Sequence, residues 1–245
     1  MGNKTTPWTV NNLVNSKKNG NGGEEIDNVI NSNNVVVDYV ERFMTRRDAD
    51  QLFAELDDES SNIEWGRGSF NAPSGKIVSF PRLTAAFGND GKTYSYSGNT
   101  QKSQIWLPGM LKLKKKVEEF VSGNKKRYGE ESCDAISFNY ALVQLYKDGD
   151  DYIGWHSDKE GDMVKGAPVV SISLGSGAER EFQFRKRVNE KSGASGGANE
   201  TISRVLKHGS MLIMARDCQK VYKHQLPKRK KIRGKRYNIT FRCIK

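Results

Sequence analysis

From about residue 135 onward the chain alternates apolar and polar side chains with period two, the pattern that sends neighbours to opposite faces of a strand. The last segment is the clearest case: Arg236, Asn238, Thr240 and Arg242 share one face, and Tyr237, Ile239, Phe241 and Cys243 share the other. Earlier, Ile136, Phe138, Tyr140 and Leu142 line one face, which ends in the hydrogen-bonding Gln144 and Tyr146. The β-branched run Val35–Val40 reads as a strand, and Ala49, Leu52, Phe53 and Leu56 follow at helical spacing, with Asp48 as the expected N-cap. Residues 61–106 read as short strands and turns, since Gly and Pro recur at close intervals. A second helix is expected from Pro108, where a first-turn proline is tolerated, with Leu113, Val117, Phe120 and Val121 on its apolar side. Short strands and close turns, broken by a Gly/Ser/Ala-rich loop at 191–198 and a basic loop at Lys228–Lys235, predict a mainly β double-sheet barrel with flanking helices. Residues 1–34, rich in Asn, Gly and Lys and without apolar periodicity, are expected to be a disordered tail, leaving 35–245 as the domain.

Charge narrows the partners. Forty Lys and Arg against twenty-nine Asp and Glu leave a formal net charge of +11, which suits a polyanion bound through phosphate contacts. Lys112, Lys114, Lys115 and Lys116, followed by Lys125, Lys126 and Arg127, read first as a solvated face and only second as a nucleic-acid contact. Cys133, Cys218 and Cys243 are too few and too odd in number for a disulfide framework, so a reducing, intracellular compartment is expected. No apolar run approaches a membrane span, and no membrane partner is expected.

His156 and Asp158 put an imidazole and a carboxylate two residues apart, and His224 supplies a third candidate ligand. Each alone is ordinary, since a His-x-Asp in an acidic loop is usually a solvated turn. Together, two His and one carboxylate form the facial set of non-haem Fe(II) oxygenases, which leaves three coordination positions open. Arg236 and Arg242, flanking Asn238 and Thr240, suit a dianion because a guanidinium fork grips a carboxylate bidentately. His208, before Gly209-Ser210 at a turn, reads as structural.

These pieces resemble the AlkB family of Fe(II)/2-oxoglutarate-dependent dioxygenases, specifically its nucleic-acid dealkylation repair branch. The likeness runs over residues 45 to 245 through Pro81-Arg82, Phe87-Gly-Asn-Asp-Gly-Lys-Thr-Tyr94-Ser-Tyr96, Trp106-Leu-Pro, Trp155-His156-Ser-Asp158-Lys-Glu160, Ser171-Ile-Ser-Leu-Gly, Arg180-Glu-Phe-Gln-Phe-Arg185, His224-Gln-Leu-Pro and Arg236-Tyr-Asn-Ile-Thr-Phe-Arg242. It implies a double-stranded β-helix, or jelly roll, with His156, Asp158 and His224 holding Fe(2+), and with 2-oxoglutarate and O2 as cosubstrates. Arg236 would grip the distal carboxylate of 2-oxoglutarate with help from Tyr146, and Gln144, Asn238, Thr240 and Arg242 would complete that pocket, with Arg242 nearer the metal. Arg82, Tyr94, Ser95, Tyr96 and Glu160 match positions near the substrate base. The implied reaction is oxidative demethylation of 1-methyladenine and 3-methylcytosine in DNA or RNA by a monomer, with release of succinate and formaldehyde.

Two departures stand out. Gln144 replaces the family's frequent Asn, and the tip Ala72-Pro-Ser-Gly75 lacks the bulky apolar wedge that refills a duplex after base flipping, so single strands, or RNA, are favoured. Two rival readings are an oxygenase acting on a protein or small molecule, and a catalytically inactive jelly roll that binds nucleic acid.

Overall fold

The alternation in the last strand decides where the site lies, because both of its faces are buried. In the computed structural model, residues 25–32, 34–72, 74–89, 93–96, 99–129, 136–158, 162–187 and 200–245 are described. The strands in chain order are β1 (Asp27–Ser32), β2 (Val35–Val40), β3 (Ser69–Asn71), β4 (Ile77–Ser79), β5 (Leu83–Gly88), β6 (Thr93–Tyr96), β7 (Asn99–Lys102), β8 (Tyr140–Tyr146), β9 (Ile153–His156), β10 (Val169–Leu174), β11 (Arg180–Lys186), β12 (Ile202–Leu206), β13 (Ser210–Arg216), β14 (Tyr222–Leu226) and β15 (Arg236–Arg242). The helices are α1 (Arg46–Asp57), α2 (Pro108–Gly123) and the single turns α3 (Lys125–Tyr128) and α4 (Cys218–Val221).

Seven strands form one antiparallel sheet in the order β1-β2-β13-β10-β15-β8-β5, and four form a second in the order β12-β11-β14-β9. This is the expected two-sheet jelly roll. Tyr237, Ile239 and Phe241 of β15 face α1 and α2, where Leu52, Leu113, Val117 and Val121 close the larger apolar cluster. Between the sheets Tyr39, Tyr146, Phe182, Phe184, Leu212 and Met214 form a second cluster. Each side chain fully withdrawn from water contributes about 1.5–3 kcal/mol, so the helix layer fixes the major sheet and leaves its other face for chemistry. No helix among the described residues is long and apolar enough to cross a membrane.

Several expectations change. Strand pairing begins at Asp27, with Asp27 opposite Tyr39, so the boundary expected at Val35 falls inside a hairpin; residues 1–24 lie outside the described residues. The N-cap of α1 is Thr45, whose Oγ1 accepts the Asp48 N–H at 3.1 Å, and Asp48 instead completes a reciprocal cap by accepting the Thr45 hydroxyl at 2.7 Å. Phe138 and Ile136 pack in the larger cluster, whereas Tyr140 and Leu142 join Ala86 and Ile244 elsewhere. The paired strand is shorter than the alternation predicts, because β8 starts only at Tyr140. Arg127, expected on a solvated face, reaches the fully buried Asp38 and donates from Nη2 to Oδ1 at 2.6 Å. A carboxylate on the helix side of β2 needs that partner, since an unpaired buried charge is costly.

Candidate metal centre and cosubstrate pocket

β9 and β14 are antiparallel neighbours, and their register sets His156 directly opposite His224 with ring centroids 4.2 Å apart. Asp158 lies two residues beyond, and one ligand atom from each of the three lies within 4.8 Å of the others. Both imidazoles are suited to ligation. Burial lowers the His156 pKa, and burial together with neighbouring His156 takes His224 down to about 3, so both rings are neutral near pH 7. The His156 Nδ1 is 2.8 Å from the Gly154 carbonyl, which places the proton there and leaves Nε2 as the ligating atom. The buried Nδ1 of His224 has no hydrogen-bond partner among the described residues. Burial pushes the Asp158 carboxyl upward, but the adjacent Arg242 charge and the two imidazoles outweigh it and hold the pKa at about 2. Arg242 Nη2 donates to Asp158 Oδ1 at 3.3 Å. Two neutral nitrogens and one ionised oxygen, lining a single pocket in which Asp158 and His224 are buried and His156 is half-buried, fit a divalent transition metal.

The same pocket is lined by Gln144, Tyr146, Ser171, Arg236, Asn238, Thr240 and Arg242. These come from three adjacent strands of the major sheet, since Ser171 pairs with Thr240, Asn238 with Gln144 and Arg236 with Tyr146. Arg236 is 2 % exposed; it donates to Ser173 Oγ at 2.7 Å and Asn238 Oδ1 at 2.9 Å, and lies 5.3 Å from the Tyr146 ring centre. Burial lowers its pKa to about 10, and no carboxylate among the described residues acts on it. A buried guanidinium whose neighbours are all neutral or cationic provides half of an ion pair, and a carboxylate ligand supplies the other half. Tyr146 donates to Gln144 Oε1 at 2.9 Å, so the longer amide at 144 stays within the network. Asn238 Nδ2 donates to Thr240 Oγ1 at 2.9 Å, and the Ser171 hydroxyl donates to Asn238 Oδ1 at 3.0 Å.

The mouth of the pocket is tied together by side chains whose role the sequence did not reveal. Arg180, 1 % exposed, donates to the carbonyls of Asp148, Asp151 and Pro227 and so joins the loop before β9 to the loop after β14. Gly149 and the basic loop exchange backbone hydrogen bonds, from Arg229 N to Gly149 O at 2.8 Å and from Gly149 N to Ile232 O at 2.9 Å. A Cβ at Gly149 would lie 1.8 Å from the Arg229 carbonyl, so only glycine allows this approach. Lys228, Lys230, Lys231, Arg233 and Lys235 are exposed along that loop, and the Lys228 ammonium lies 5.1 Å from the Tyr152 ring centre.

Arg82 is buried near this mouth, donates to the Tyr152 carbonyl at 3.4 Å and stacks 4.8 Å from the Phe80 ring. Tyr94, Ser95 and Tyr96 lie in β6, opposite Gln101, Thr100 and Asn99 of β7, with side chains outside the described set; Glu160 lies outside the described residues altogether. His208 accepts the Gly175 N–H on Nδ1 at 2.9 Å and pairs through Nε2 with Asp50 at 3.0 Å, which is the structural role expected of it. Ser173, which positions Arg236, carried a usable signal: with Ser171 it alternates against Val170, Ile172 and Leu174 in a strand buried on both faces.

Comparison with known proteins shows the family and the fold. Residues 37–242 match the 2OG-Fe(II) oxygenase superfamily. The chain is 35% identical over 202 residues to the human "DNA oxidative demethylase ALKBH2", an alignment spanning 81% of this chain and 70% of that protein. It is 34% identical over 165 residues to the mouse "Alpha-ketoglutarate-dependent dioxygenase alkB homolog 3", spanning 67% of this chain and 52% of that one. The structure titled "The structure of OsALKBH1" superposes with a TM-score of 0.57 over 84% of this chain and 96% of its own, at 18% identity, and so supports the fold. With that superfamily match covering most of the chain and relatives above 30% identity over most of its length, the chain belongs to the AlkB family of Fe(II)/2-oxoglutarate-dependent dioxygenases.

Proposed function

We propose that this enzyme removes N-methyl groups from 1-methyladenine and 3-methylcytosine in nucleic acid, with single strands preferred. The observation that carries the reading is the pairing, in one pocket, of the His156–Asp158–His224 set with an Arg236 guanidinium that lacks a carboxylate partner among the described residues. Iron held by His156, Asp158 and His224 would supply oxidative chemistry in which O2, 2-oxoglutarate and the N-methyl base are consumed and succinate, carbon dioxide, formaldehyde and the demethylated base are released.

The chain's own residues orient and exclude. Arg236, backed by Ser173, Asn238 and the Tyr146 ring, is placed to receive the distal carboxylate of 2-oxoglutarate. Arg242 holds Asp158 ionised, so the ligand needs no proton removed before it binds a metal. Buried aromatic residues, among them Phe182, stacked 5.2 Å from His224, keep bulk water from the reacting centre. A base must leave its stack to reach so enclosed a site, and the exposed lysines of the 228–235 loop supply phosphate contacts beside the mouth. The relatives' printed names, DNA oxidative demethylases among them, support a nucleic-acid substrate.

The test is mass spectrometry of oligonucleotides carrying either methylated base, incubated with Fe(II), 2-oxoglutarate and ascorbate. Loss of 14 mass units (~14 Da, one CH2) with the wild type and none with His224→Ala is expected. Retained iron-dependent turnover in His224→Ala would remove that residue from the ligand set.

A further inference from the structure

Asp158 is anchored by a side chain outside the ligand set, and we infer that Gln219 is a positioning residue for the metal centre. The inference rests on His156, Asp158 and His224 being the ligands. β9 ends at His156, so the Asp158 backbone has no strand partner to hold it. Instead its N–H donates to Gln219 Oε1 at 2.9 Å. The other end of the same amide, Nε2, donates to the Met214 sulfur at 3.4 Å, and Met214 itself lines the pocket. The amide orientation follows from the chemistry, because exchanging its O and N would set an NH2 group against the Asp158 N–H.

Gln219 belongs to α4, the single turn that leads directly into β14 and His224. It therefore joins the carriers of two ligands that are otherwise far apart in sequence. The neighbouring Ser157 is held from the same side: the Arg187 guanidinium donates to its hydroxyl, and the Arg187 N–H donates to the Val221 carbonyl of α4 at 2.8 Å. Arg242 fixes the Asp158 carboxylate while Gln219 fixes its main chain, and with both contacts in place the carboxylate direction is determined.

Groups that orient ligands from behind typically change metal affinity by about 10–100-fold when removed. The experiment is a Mn(II) titration of the full-length apoprotein followed by electron paramagnetic resonance, with the melting temperature of each metal-free protein measured alongside. Gln219→Met keeps length and packing but removes the acceptor, and it should bind Mn(II) about 10–100-fold more weakly than wild type. Gln219→Glu keeps an oxygen at the same reach and should stay within a few-fold (~3-fold) of wild type. If the Met variant does not fold, Gln219→Asn, too short to reach Asp158, makes the same comparison. Wild-type affinity in Gln219→Met, or a Gln219→Glu variant as weak as Gln219→Met, overturns the positioning role. Absence of saturable Mn(II) binding in the wild type instead overturns the ligand assignment itself, and this inference with it.

Discussion

Replacing Arg236 with Met separates two kinds of buried arginine. A guanidinium locked in a structural ion pair leaves an uncompensated carboxylate when removed, at a cost of about 3–5 kcal/mol. Among the described residues Arg236 has no such carboxylate, and burial depresses its pKa to about 10. That depression corresponds to about 3 kcal/mol of strain against the charged form, which the variant relieves. Against it stand two hydrogen bonds donated to Ser173 and Asn238, worth about 1.5 kcal/mol each from a charged donor. The two contributions nearly cancel, so the metal-free variant should melt within about 3 °C of wild type. Ligand response should differ sharply. With Mn(II) in place of iron to prevent turnover, 2-oxoglutarate at about 100 times its Kd stabilises the wild type by about 2.7 kcal/mol, raising Tm by roughly 5–11 °C. Arg236→Met should show almost none of that rise at the same concentration. A fall of 10 °C or more (roughly 3–5 kcal/mol) in the metal-free variant would mean the guanidinium serves the fold, and an undiminished 2-oxoglutarate response would place the cosubstrate elsewhere.

Three further outcomes follow from other contacts. His208 must be neutral to accept the Gly175 N–H, and burial lowers its pKa below 6.5, so its contribution is complete above that pH and lost as pH falls; the stability gap between wild type and His208→Leu, read by urea unfolding, should shrink from pH 7.5 to 5.5 (roughly one pH unit either side of the free histidine pKa). A gap that widens on acidification would contradict that tautomer. Gly149→Ala should destabilise by about 1–3 kcal/mol and alter salt dependence of oligonucleotide binding, because a new Cβ drives the basic loop away from the mouth; an unchanged melting curve would show the contact to be slack. At one fixed salt concentration, 3-methylcytosine should be repaired faster in single strands than in duplex, and Ser74→Phe, at the exposed tip between β3 and β4, should narrow the difference by refilling the stack; equal wild-type rates on both substrates would point to a wedge on another loop.

The pocket was legible where polarity alternates in a strand that has no solvent-facing side. Arg236, Asn238, Thr240 and Arg242 could have faced water on pattern alone, and only the order of the surrounding motifs turned that face inward. Ser171 and Ser173 offered the same sign more quietly. Illegible features are those whose partners carry no pattern: Arg180 binds three backbone carbonyls, and any residue can supply a carbonyl. The Asp38–Arg127 pair joins a strand to a helical turn across 89 residues, so in sequence Arg127 reads as part of a solvated face. Local ambiguity explains the cap of α1, because Thr45 and Asp48 are both good N-caps and only the backbone angles of Thr45, φ −62° and ψ 153°, distinguish them.

The two histidines occupy mechanically unequal strands. β14, carrying His224, is hydrogen-bonded on both sides, to β11 and to β9, while β9, carrying His156, is the margin of its sheet and pairs, among the described residues, with β14 alone. A metal ion bound by both rings is therefore a rivet through the sheet's outermost seam. With the rivet in place, fraying of β9 would also require breaking a coordination bond; without it, fraying requires breaking only hydrogen bonds. Amide exchange in Ile153–His156 should consequently track metal occupancy far more closely than exchange in Tyr222–Leu226, and loss of metal should begin at the His156 side, where the strand can peel, rather than at His224, where it cannot.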